Sequence, residues 1–299
     1  MNKIRELIQL CSDCRYVPVI VGPTGSGKSS LLYKLAEFYN FEIISADSRQ
    51  IYRFLDIGTA KPEPSILQKY PHHFISIVEP DEKYSAAEFA RSAADIISSA
   101  FSNERIPVVA GGTGFYIKAL FNGFFEGPGS NEGIRNELEK HQIETLYEKL
   151  EDVDREAARS IHKNDKKRIM RALEVFMITG RKMSEYHKIQ ANPTTGYKPY
   201  YFYIQPPRDI LYERINKRAD SMFENGWIQE TEILLKRGYS ENSPAFEGLG
   251  YRDIISYLKG GVQYKDLVEK IKMDTRRYAK RQITWFSNQI KNEKIEILN

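Results

Sequence analysis

A glycine-rich segment near the amino terminus, VIVGPTGSGKSSLL at positions 19–32, constrains the fold of this chain more than any other feature. Residues 22–29 match the pattern G-x-x-x-x-G-K-[ST] in full, with an apolar strand pattern before them and a helical pattern after. The glycines of such a loop let backbone N–H groups converge on phosphate oxygens, and the following helix directs its positive end at the same point. Lys28 would add a positive charge and Ser29 would hold a magnesium ion. The segment therefore predicts a diphosphate or triphosphate site formed by Gly22, Pro23, Thr24, Gly25, Ser26, Gly27, Lys28 and Ser29.

Short apolar runs alternate with helical patterns over residues 1–122, which is typical of parallel α/β units. Strands are predicted at YVPVIVG, at FEIISADSRQIY as far as Asp47, at HHFISIVEP, at IPVVAGGTG and, later in the chain, at YYFYIQPP. The remaining C-terminal third has a helical pattern. The expected fold class is α/β, with a P-loop NTPase-like parallel sheet flanked by helices and a helical insertion domain.

The character of the sequence changes after Phe121, where NGFFEGPGSNEG is rich in glycine and polar residues. Apolar residues then recur at helical spacing from Ile134 to about Lys188, until ANPTTGYKP interrupts the pattern. This organisation predicts a catalytic core made of residues 1–122 and 196–299, with a helical insertion domain at residues 123–195.

The overall charge is mildly basic, +4 in 299 residues, and does not by itself predict binding to nucleic acid. No apolar run approaches the ~20 residues of a membrane helix, and the first residues lack the apolar core of a signal peptide. We therefore expect a cytoplasmic protein without a membrane partner. Cys11 and Cys14 form a C-x-x-C pair, but no second pair completes a four-ligand zinc site, so two reduced thiols on an N-terminal helix are expected.

The strands next to the loop supply one carboxylate and one hydroxyl. P-loop NTPases hold Mg²⁺ with an acid at the end of another apolar strand, but IPVVAGGTG ends in Gly111, Gly112 and Thr113. The other strand that ends nearby delivers Asp47, and the carboxyl ends of parallel strands form the ligand-binding edge of a sheet. A cleft with a phosphate cradle, one carboxylate and one hydroxyl suits a reaction in which diphosphate leaves and Asp47 accepts a proton from the attacking group. A Walker-B-like or helix-capping role for Asp47 is the alternative.

Two basic clusters stand out against the mild overall charge. KNDKKRIMR at 163–171 has five basic residues and one acid, and KIKMDTRRYAKRQITWF at 270–286 has six and one. On a helix Lys272, Arg276 and Lys280 would form one stripe, with Tyr278 and Trp285 among the charges. Basic residues with interleaved aromatics suit RNA with unpaired bases. A solvated helix face is the alternative for each cluster.

A third basic group, Arg214, Lys217 and Arg218, is spaced to line one face of the helix that follows YYFYIQPP. Such a helix can close over bound phosphates. The group is therefore a candidate clamp for the negative charge that develops on a departing diphosphate, and ordinary surface charge is the alternative.

Eight segments carry a resemblance to a known family. They are GPTGSGKS, IISADSRQIYRFLDIGTAKP, PHHFISIVEP, YSAAEFARSA, IPVVAGGTGFYIKAL, NDKKRIMRALEVFMITG, LGYRD and RRYAKRQITWF. In content and order, from about Val17 to Phe286, they resemble the bacterial-type tRNA dimethylallyltransferases, also called tRNA isopentenyltransferases. The resemblance implies transfer of a dimethylallyl group from its diphosphate to N6 of the adenosine immediately 3′ of the anticodon, with Mg²⁺. The loop would then hold an isoprenoid diphosphate and not a nucleotide.

The resemblance also implies roles for individual residues. Asp47 would be the base for the N6 proton, Thr113 would help to position the diphosphate or the target base, and Arg218 would pair with the diphosphate. The residues implied to contact tRNA are Asp47, Ser48, Arg49, Gln50, Arg135, Lys167, Arg168, Ile169, Met170, Arg171, Glu247, Gly248, Leu249, Gly250, Tyr251, Arg252, Lys280, Arg281, Gln282, Ile283, Thr284, Trp285 and Phe286.

The expected partners are tRNA, bound through its anticodon stem-loop by the insertion domain and the C-terminal helices, and dimethylallyl diphosphate; the chain is expected to be a monomer. Three alternatives stay open. A small-molecule kinase would place ATP in the loop, but the carboxylate that should hold its Mg²⁺ is not found. An adenylate isopentenyltransferase would need neither the basic insertion nor the AKRQITW segment. A non-catalytic RNA-binding protein would explain neither the phosphate loop nor Asp47.

Overall fold

Six parallel strands form the central sheet, in a computed structural model that describes residues 2–123, 127–188, 193–291 and 293–298. Their order across the sheet is β3-β2-β4-β1-β5-β6, and every neighbouring pair runs parallel. The strands are β1 (Tyr16–Val21), β2 (Phe41–Ser45), β3 (His72–His73), β4 (Ile106–Gly111), β5 (Lys198–Ile204) and β6 (Ile295–Leu298).

Helices connect and flank these strands. They are α1 (Asn2–Asp13), α2 (Lys28–Ala36), α3 (Pro64–Lys69), α4 (Ala86–Ser102), α5 (Gly114–Asn122), α6 (Glu132–Glu139), α7 (Ile143–Val153), α8 (Arg155–Ser160), α9 (Lys166–Thr179), α10 (Met183–Lys188), α11 (Arg208–Glu224), α12 (Trp227–Lys236), α13 (Tyr251–Leu258) and α14 (Tyr264–Gln289). A 3₁₀ turn covers Pro244–Glu247. The predicted α/β fold with a P-loop NTPase-like parallel sheet is confirmed.

The sheet is apolar where helices cover it. β1 and β4 lie at its centre with Val19 opposite Val109, and both strands read as nearly continuous apolar runs, as expected for parallel strands between helices. α1 and α2 bury Ile8 and Leu35 in one cluster with Phe202 of β5. Because β1, β2 and β4 are neighbours, their carboxyl ends meet at one edge of the sheet, and the segments that follow them build the site described below.

The third predicted strand, HHFISIVEP, is largely wrong. Only His72 and His73 pair with β2, because Phe74 and Ser76 have φ angles of +65° and +54° and turn the chain away from an extended path. A single parallel bridge then joins Val78 to Tyr52. β6 is an addition at the other edge that the sequence reasoning did not include.

The contacts within the chain divide it into two compact units, one formed by Met1–Phe121 with Thr194–Asn299 and the other by Asn122–Pro193. The second unit consists of α6 to α10 around a small apolar core that includes Leu146, Leu150 and Ile169. Its helices agree with the helical periodicity of the sequence. Parts of the two predicted boundary segments, residues 124–126 and 191–192, lie outside the described residues.

Two further expectations concern the cysteines and the membrane. Cys11 is buried on α1 and Cys14 is exposed just after it, and both are free thiols. Burial raises the pKa of Cys11 to about 12, so this thiol stays protonated at neutral pH. Within the part of the chain that the structure describes, no helix combines the length and the apolar character needed to cross a bilayer.

Candidate active site

The loop between β1 and α2 is glycine-rich because it passes close to other backbone and side-chain atoms. A Cβ on Gly22 would lie 2.5 Å from the carbonyl oxygen of Ile204. Gly25 has a φ of +78°, and a Cβ there would lie 3.1 Å from the side chain of Ile215. α2 begins directly after the loop, so the free N–H groups of its first turn are available to an anion.

Lys28 is held inside this loop. Its Nζ donates hydrogen bonds to the carbonyl oxygens of Gly22 (2.9 Å) and Pro23 (2.8 Å). Burial and, to a smaller extent, the charge of Arg218 lower the pKa of Lys28 to about 8, against the opposing effect of the Asp47 carboxylate. The ammonium group therefore lies in a place where its charge is poorly compensated until an anion binds.

Asp47 follows β2 and caps the backbone of its own turn. Its Oδ1 accepts hydrogen bonds from the N–H groups of Arg49 (2.8 Å) and Gln50 (3.3 Å). Its Oδ2 has no hydrogen-bond partner among the described residues, and Asp47 lines the same cavity as Lys28. One oxygen thus orients the carboxylate, while the other is available to accept a proton.

Thr113 acts on the same turn from the end of β4. Its Oγ1 accepts a hydrogen bond from the N–H of Ser48 at 3.0 Å and lies 3.3 Å from the Ser48 hydroxyl. The backbone approaches closely here, because a Cβ on Gly111 would lie 2.1 Å from the carbonyl oxygen of Ala46. Thr113 is not among the residues that line the cavity. The hydroxyl expected in the cleft therefore holds the turn after Asp47.

Only two of the three basic residues that were predicted to form a clamp on α11 face the cavity. Arg214 and Arg218 line the cavity, and Arg214 Nη1 lies 3.5 Å from the Ser26 carbonyl oxygen. Arg218 makes no hydrogen bond or ion pair with the described residues, and burial lowers its pKa despite the nearby charge of Asp47. Lys217 is 76% exposed and pairs with Glu213, so the expectation that it shares the face of Arg214 and Arg218 is wrong. Two of the three basic residues of the predicted clamp, both arginines, therefore face the cavity.

A cavity of about 920 Å³ joins these groups. Two acids besides Asp47 line it, Glu247 and Asp274, so the expectation of a single carboxylate in the cleft is wrong. The Asp274 carboxylate is occupied by Lys270 (2.8 Å) and Arg277 (3.2 Å). Hydrogen bonds from these two cations lower the pKa of Asp274. Asp274 is therefore kept as an anion and is not placed to take up a proton.

Ser29, predicted as a metal ligand, is exposed on the first turn of α2 and lines the cavity. Its hydroxyl has no hydrogen-bond partner among the described residues. No group of three or more His, Cys, Asp or Glu side chains that could hold a metal occurs within residues 2–123, 127–188, 193–291 and 293–298. One serine hydroxyl beside a phosphate loop is a donor set of the kind that Mg²⁺ uses, because this ion is commonly bound by few protein oxygens together with phosphate and water.

The turn after Asp47 also shapes the cavity. Ser48, Arg49 and Gln50 all line it. The amide of Gln50 donates to the carbonyl oxygens of Thr59 (3.1 Å) and Ala60 (3.0 Å), which holds that loop against the turn. Gln50 therefore supports the wall of the cavity in addition to facing it.

α14 differs from the expected basic stripe. Lys272 pairs with Asp220 (2.7 Å), and Arg276 donates to the Asn216 side chain (2.6 Å), so both residues bind α11 and the prediction of a continuous RNA-facing stripe is wrong for them. Lys280 is exposed.

The segment AKRQITWF presents only some of its side chains. Lys280, Arg281 and Thr284 are exposed, and Arg281 lines the cavity beside Tyr278, with its guanidinium 5.7 Å from the centre of that ring. Ile283 and Trp285 are half-buried, and Gln282 and Phe286 are buried. Phe286 packs on β5 through Tyr203, which contradicts its expected contact with tRNA.

In the segment at 247–252, as in AKRQITWF, only some of the residues are accessible. Glu247, Gly248, Leu249 and Tyr251 line the cavity and Arg252 is exposed, whereas Gly250 is buried and does not line it. A Cβ on Gly250 would meet the ring of Trp227 at 2.3 Å, so this glycine is required for packing. The Tyr251 side chain is fully buried and donates its hydroxyl hydrogen bond to Glu230, and its expected contact with tRNA stays a prediction.

In the second unit two of the residues that were expected to contact tRNA, Arg135 and Arg171, donate hydrogen bonds to the same buried acid. Glu174 on α9 is fully buried and accepts hydrogen bonds from Arg135 (2.8 and 3.1 Å) and from Arg171 (2.7 Å). Burial alone would raise the pKa of Glu174, but these hydrogen bonds and one from the Asn131 N–H lower it below its ordinary value. Arg135 and Arg171 therefore stabilise the fold of the second unit through their pairing with Glu174, and each side chain is also partly exposed.

The other members of that set differ in exposure. Lys167 and Arg168 are exposed, and Met170 is half-buried. Ile169 is fully buried in the core of the unit, so its side chain cannot contact RNA in this structure.

Glu230 on α12 is a residue that the sequence reasoning missed. Its carboxylate accepts hydrogen bonds from the N–H groups of Asp56 (2.7 Å), Ile57 (2.6 Å) and Gly58 (3.2 Å), and from the Tyr251 hydroxyl (2.8 Å). It thus holds the loop whose next residues bind Gln50. A lone Glu in a helical pattern carries no local signal of such a role.

Three comparisons with known proteins agree. The family model described as IPP transferase matches residues 50–289. The tRNA dimethylallyltransferase of Thermoanaerobacter sp. (strain X514) is 44% identical over 279 residues, covering 90% of this chain and 88% of that protein. That of Geobacter sulfurreducens is 42% identical over 272 residues, with the same coverage.

Solved structures lead to the same family. The tRNA isopentenylpyrophosphate transferase of Bacillus halodurans superposes with a TM-score of 0.68 at 36% identity, over 95% of this chain and 89% of that one. A eukaryotic dimethylallyltransferase captured acting on tRNA superposes with a TM-score of 0.81 at 30% identity, over 95% of this chain and 73% of that one. The chain belongs to the tRNA dimethylallyltransferase family.

Proposed function

We propose that this protein transfers the dimethylallyl group of dimethylallyl diphosphate to N6 of the adenosine on the 3′ side of the anticodon in tRNA, releasing diphosphate. One observation carries the proposal: a single cavity contains a phosphate loop, the uncompensated cations Lys28 and Arg218, and one free oxygen of Asp47. Relatives at 44% identity are named for this activity.

The cations would act on the leaving group. The diphosphate lies in the loop, and Lys28 and Arg218 neutralise charge as the bond between C1 of the dimethylallyl group and the diphosphate oxygen breaks, with the electron pair leaving on that oxygen. Groups preorganised where charge develops are usually the largest contribution to catalysis. Because both cations are poorly compensated in the free protein, their interaction with the departing diphosphate is strong.

Asp47 would act on the acceptor. The N6 amine of adenine is a weak nucleophile, since its lone pair is delocalised into the ring. As the new bond from N6 to C1 forms, one N6 proton passes to Oδ2 of Asp47. The hydrogen bonds from Arg49 and Gln50 to Oδ1 keep this carboxylate oriented.

The residues at the loop also fit Mg²⁺. Ser29 would contribute its hydroxyl, and oxygens of the bound diphosphate would complete most of the remaining coordination. The ion would supply further neutralisation of the leaving group. Magnesium, a monomeric state and a cytoplasmic location remain predictions.

For tRNA, support comes from exposed basic residues around the cavity and in the second unit. In the first unit they are Arg252, Lys280 and Arg281, and in the second Lys167 and Arg168. The target base must leave its stack to reach Asp47, at a cost of a few kcal/mol. Contacts from these side chains to the RNA backbone would offset that cost, because each neutralised phosphate strengthens binding.

The test is mass spectrometry of an anticodon stem-loop after incubation with the protein, Mg²⁺ and dimethylallyl diphosphate. We expect the RNA to gain one dimethylallyl group, and a stem-loop with guanosine at the target position to gain none. Transfer to AMP in place of RNA would identify an adenylate isopentenyltransferase. Transfer of phosphate from labelled ATP to a small molecule would identify a kinase. Either outcome would overturn the proposal.

A further inference from the structure

Gln282 stands apart from its neighbours on α14. Lys280 and Arg281 are exposed, but Gln282 is only 7% exposed and lies between the phosphate loop and the end of β4. Resemblance to the family places it among the tRNA contacts. Its position is that of an internal polar side chain, which needs hydrogen-bond partners of its own.

Both ends of the Gln282 amide have such partners. Oε1 accepts a hydrogen bond from the N–H of Thr24 at 2.8 Å, and Nε2 donates to the carbonyl oxygen of Gly112 at 3.0 Å. The orientation of the amide is unambiguous, because a backbone N–H can only donate and a carbonyl oxygen can only accept. One side chain thus joins the third residue of the loop to the residue before Thr113.

We infer that Gln282 is a positioning residue for the diphosphate cradle and not a contact of tRNA. This inference rests on the proposed function, because it assigns the loop to the diphosphate of the prenyl donor. By fixing Thr24 and Gly112 to each other, Gln282 keeps the loop after β1 in register with the end of β4. The latter holds the turn that carries Asp47 through the bond from Ser48 to Thr113.

The chemistry of the position favours glutamine. A glutamate would keep the acceptor for Thr24 but lose the donor to Gly112, and it would place a negative charge beside the phosphates. An asparagine would be one methylene too short to span the two backbones. A methionine would fill the space but leave the Thr24 N–H and the Gly112 carbonyl without this partner, which costs free energy in a buried site.

The packing around Gln282 allows a clean test. Trp285 and Phe286 dock the same stretch of α14 independently, since the Trp285 ring occupies the space beside Gly114 and Phe286 is fully buried. Gln282→Met should therefore leave the helix in place. Gly112→Ala disturbs the same contact from the other side, because its Cβ would lie 2.4 Å from Nε2, the movable end of the Gln282 side chain.

The experiment measures donor and RNA binding separately. Titration calorimetry with inorganic diphosphate and Mg²⁺, in the absence of RNA, should show at least about tenfold weaker binding for Gln282→Met, which removes both hydrogen bonds. For Gly112→Ala it should show about tenfold weaker binding, as for one lost buried hydrogen bond. Fluorescence anisotropy with an anticodon stem-loop should show RNA affinity within about twofold of wild type. In steady-state kinetics the KM for dimethylallyl diphosphate should rise while the KM for RNA stays the same. Gln289→Met, at an exposed position on the last turn of α14, is the matched control and should change neither affinity.

The possible results separate the two proposals. Weaker RNA binding with unchanged diphosphate binding would make Gln282 a tRNA contact and overturn the inference, as would unchanged affinities or a parallel loss of both. If Gln282→Met does not fold, Gly112→Ala decides by the same criteria. If the wild-type protein binds neither inorganic diphosphate nor dimethylallyl diphosphate, the proposed function itself fails.

Discussion

Replacing Lys28 by methionine should make the protein more stable and unable to bind its donor. The pKa of Lys28 falls from 10.5 to about 8, chiefly through burial. At 1.36 kcal/mol per unit, the charged form destabilises the folded state by about 3 kcal/mol. The substitution removes this penalty, but it also removes the hydrogen bonds to Gly22 and Pro23, worth about 0.5–1.5 kcal/mol each. The expected net stabilisation at pH 7 is therefore about 0–2 kcal/mol.

The pH dependence gives this prediction a definite sign. Between pH 8 and 10.5 the unfolded chain binds more protons than the folded chain at Lys28, so wild-type stability rises with pH in this window. The destabilisation by charged Lys28 has its full value of about 3 kcal/mol well below pH 8. It falls to about 2 kcal/mol at pH 9 and is nearly zero above pH 10.5. The advantage of Lys28→Met should therefore shrink by about 1 kcal/mol between pH 7 and pH 9.

Urea unfolding at the two pH values measures this difference. Lys34→Met, at an exposed position on the same helix, is the control and should leave stability unchanged. Dimethylallyl diphosphate should raise the melting temperature of wild type and of the control but not of Lys28→Met, since only a ligand that binds the folded state stabilises it. If Lys28→Met is less stable than wild type at pH 7, with a difference that does not change with pH, the argument from an uncompensated charge is refuted.

Three further predictions concern catalysis, RNA binding and the second unit. Asp47→Asn should lower the single-turnover rate by roughly 10²–10⁴ while RNA affinity is kept, and full activity would remove Asp47 from the mechanism. Arg281→Ala should weaken RNA binding and reduce the slope of log K against log salt by about one. Arg276→Ala, which loses a bond to α11, should not change that slope, and equal effects of the two would disprove the division of α14 drawn above. Glu174→Ala should lower the free energy of unfolding by about 2–4 kcal/mol, because two arginines lose a buried partner. Arg168→Ala at the exposed surface should cost less than about 0.5 kcal/mol, and similar losses would contradict the structural role of Glu174.

Much of the fold follows from local patterns in the sequence. The glycine loop lies between an apolar strand and a helix. β1 and β4 are nearly continuous apolar runs and β2 and β5 are mostly apolar, as expected for parallel strands between helices. The failures are also physical. HHFISIVEP has the composition of a strand, but the positive φ angles of Phe74 and Ser76 stop its pairing, and β6 has only four residues and pairs at the edge with β5 alone.

The candidate site was predictable where it depends on strand ends and not where it depends on distant contacts. Asp47 follows β2, so its place beside the phosphate loop could be inferred from topology. Gln282 contacts Thr24 across 258 positions, and Glu230 contacts Ile57 across 173. The periodicity of apolar residues in the sequence does not predict such distant pairs. Burial also decides which members of a basic segment are accessible, and that depends on partners elsewhere in the chain.

Buried charge is compensated at Glu174 and left uncompensated at the candidate site, and the difference bears on function. In the second unit the fully buried Glu174 accepts hydrogen bonds from Arg135 and Arg171, so its charge has partners in place. In the first unit Lys28 bonds only to backbone carbonyls, and Arg218 has neither a hydrogen bond nor an ion pair with the described residues. Asp47, the acid nearest to both, uses one oxygen on its own turn. Removing charge from water without a counterion is costly, so a site that keeps two such cations is completed by an anion from outside. Since that anion departs with a bonding electron pair in the proposed reaction, the same uncompensated charge that weakens the free protein would favour bond cleavage.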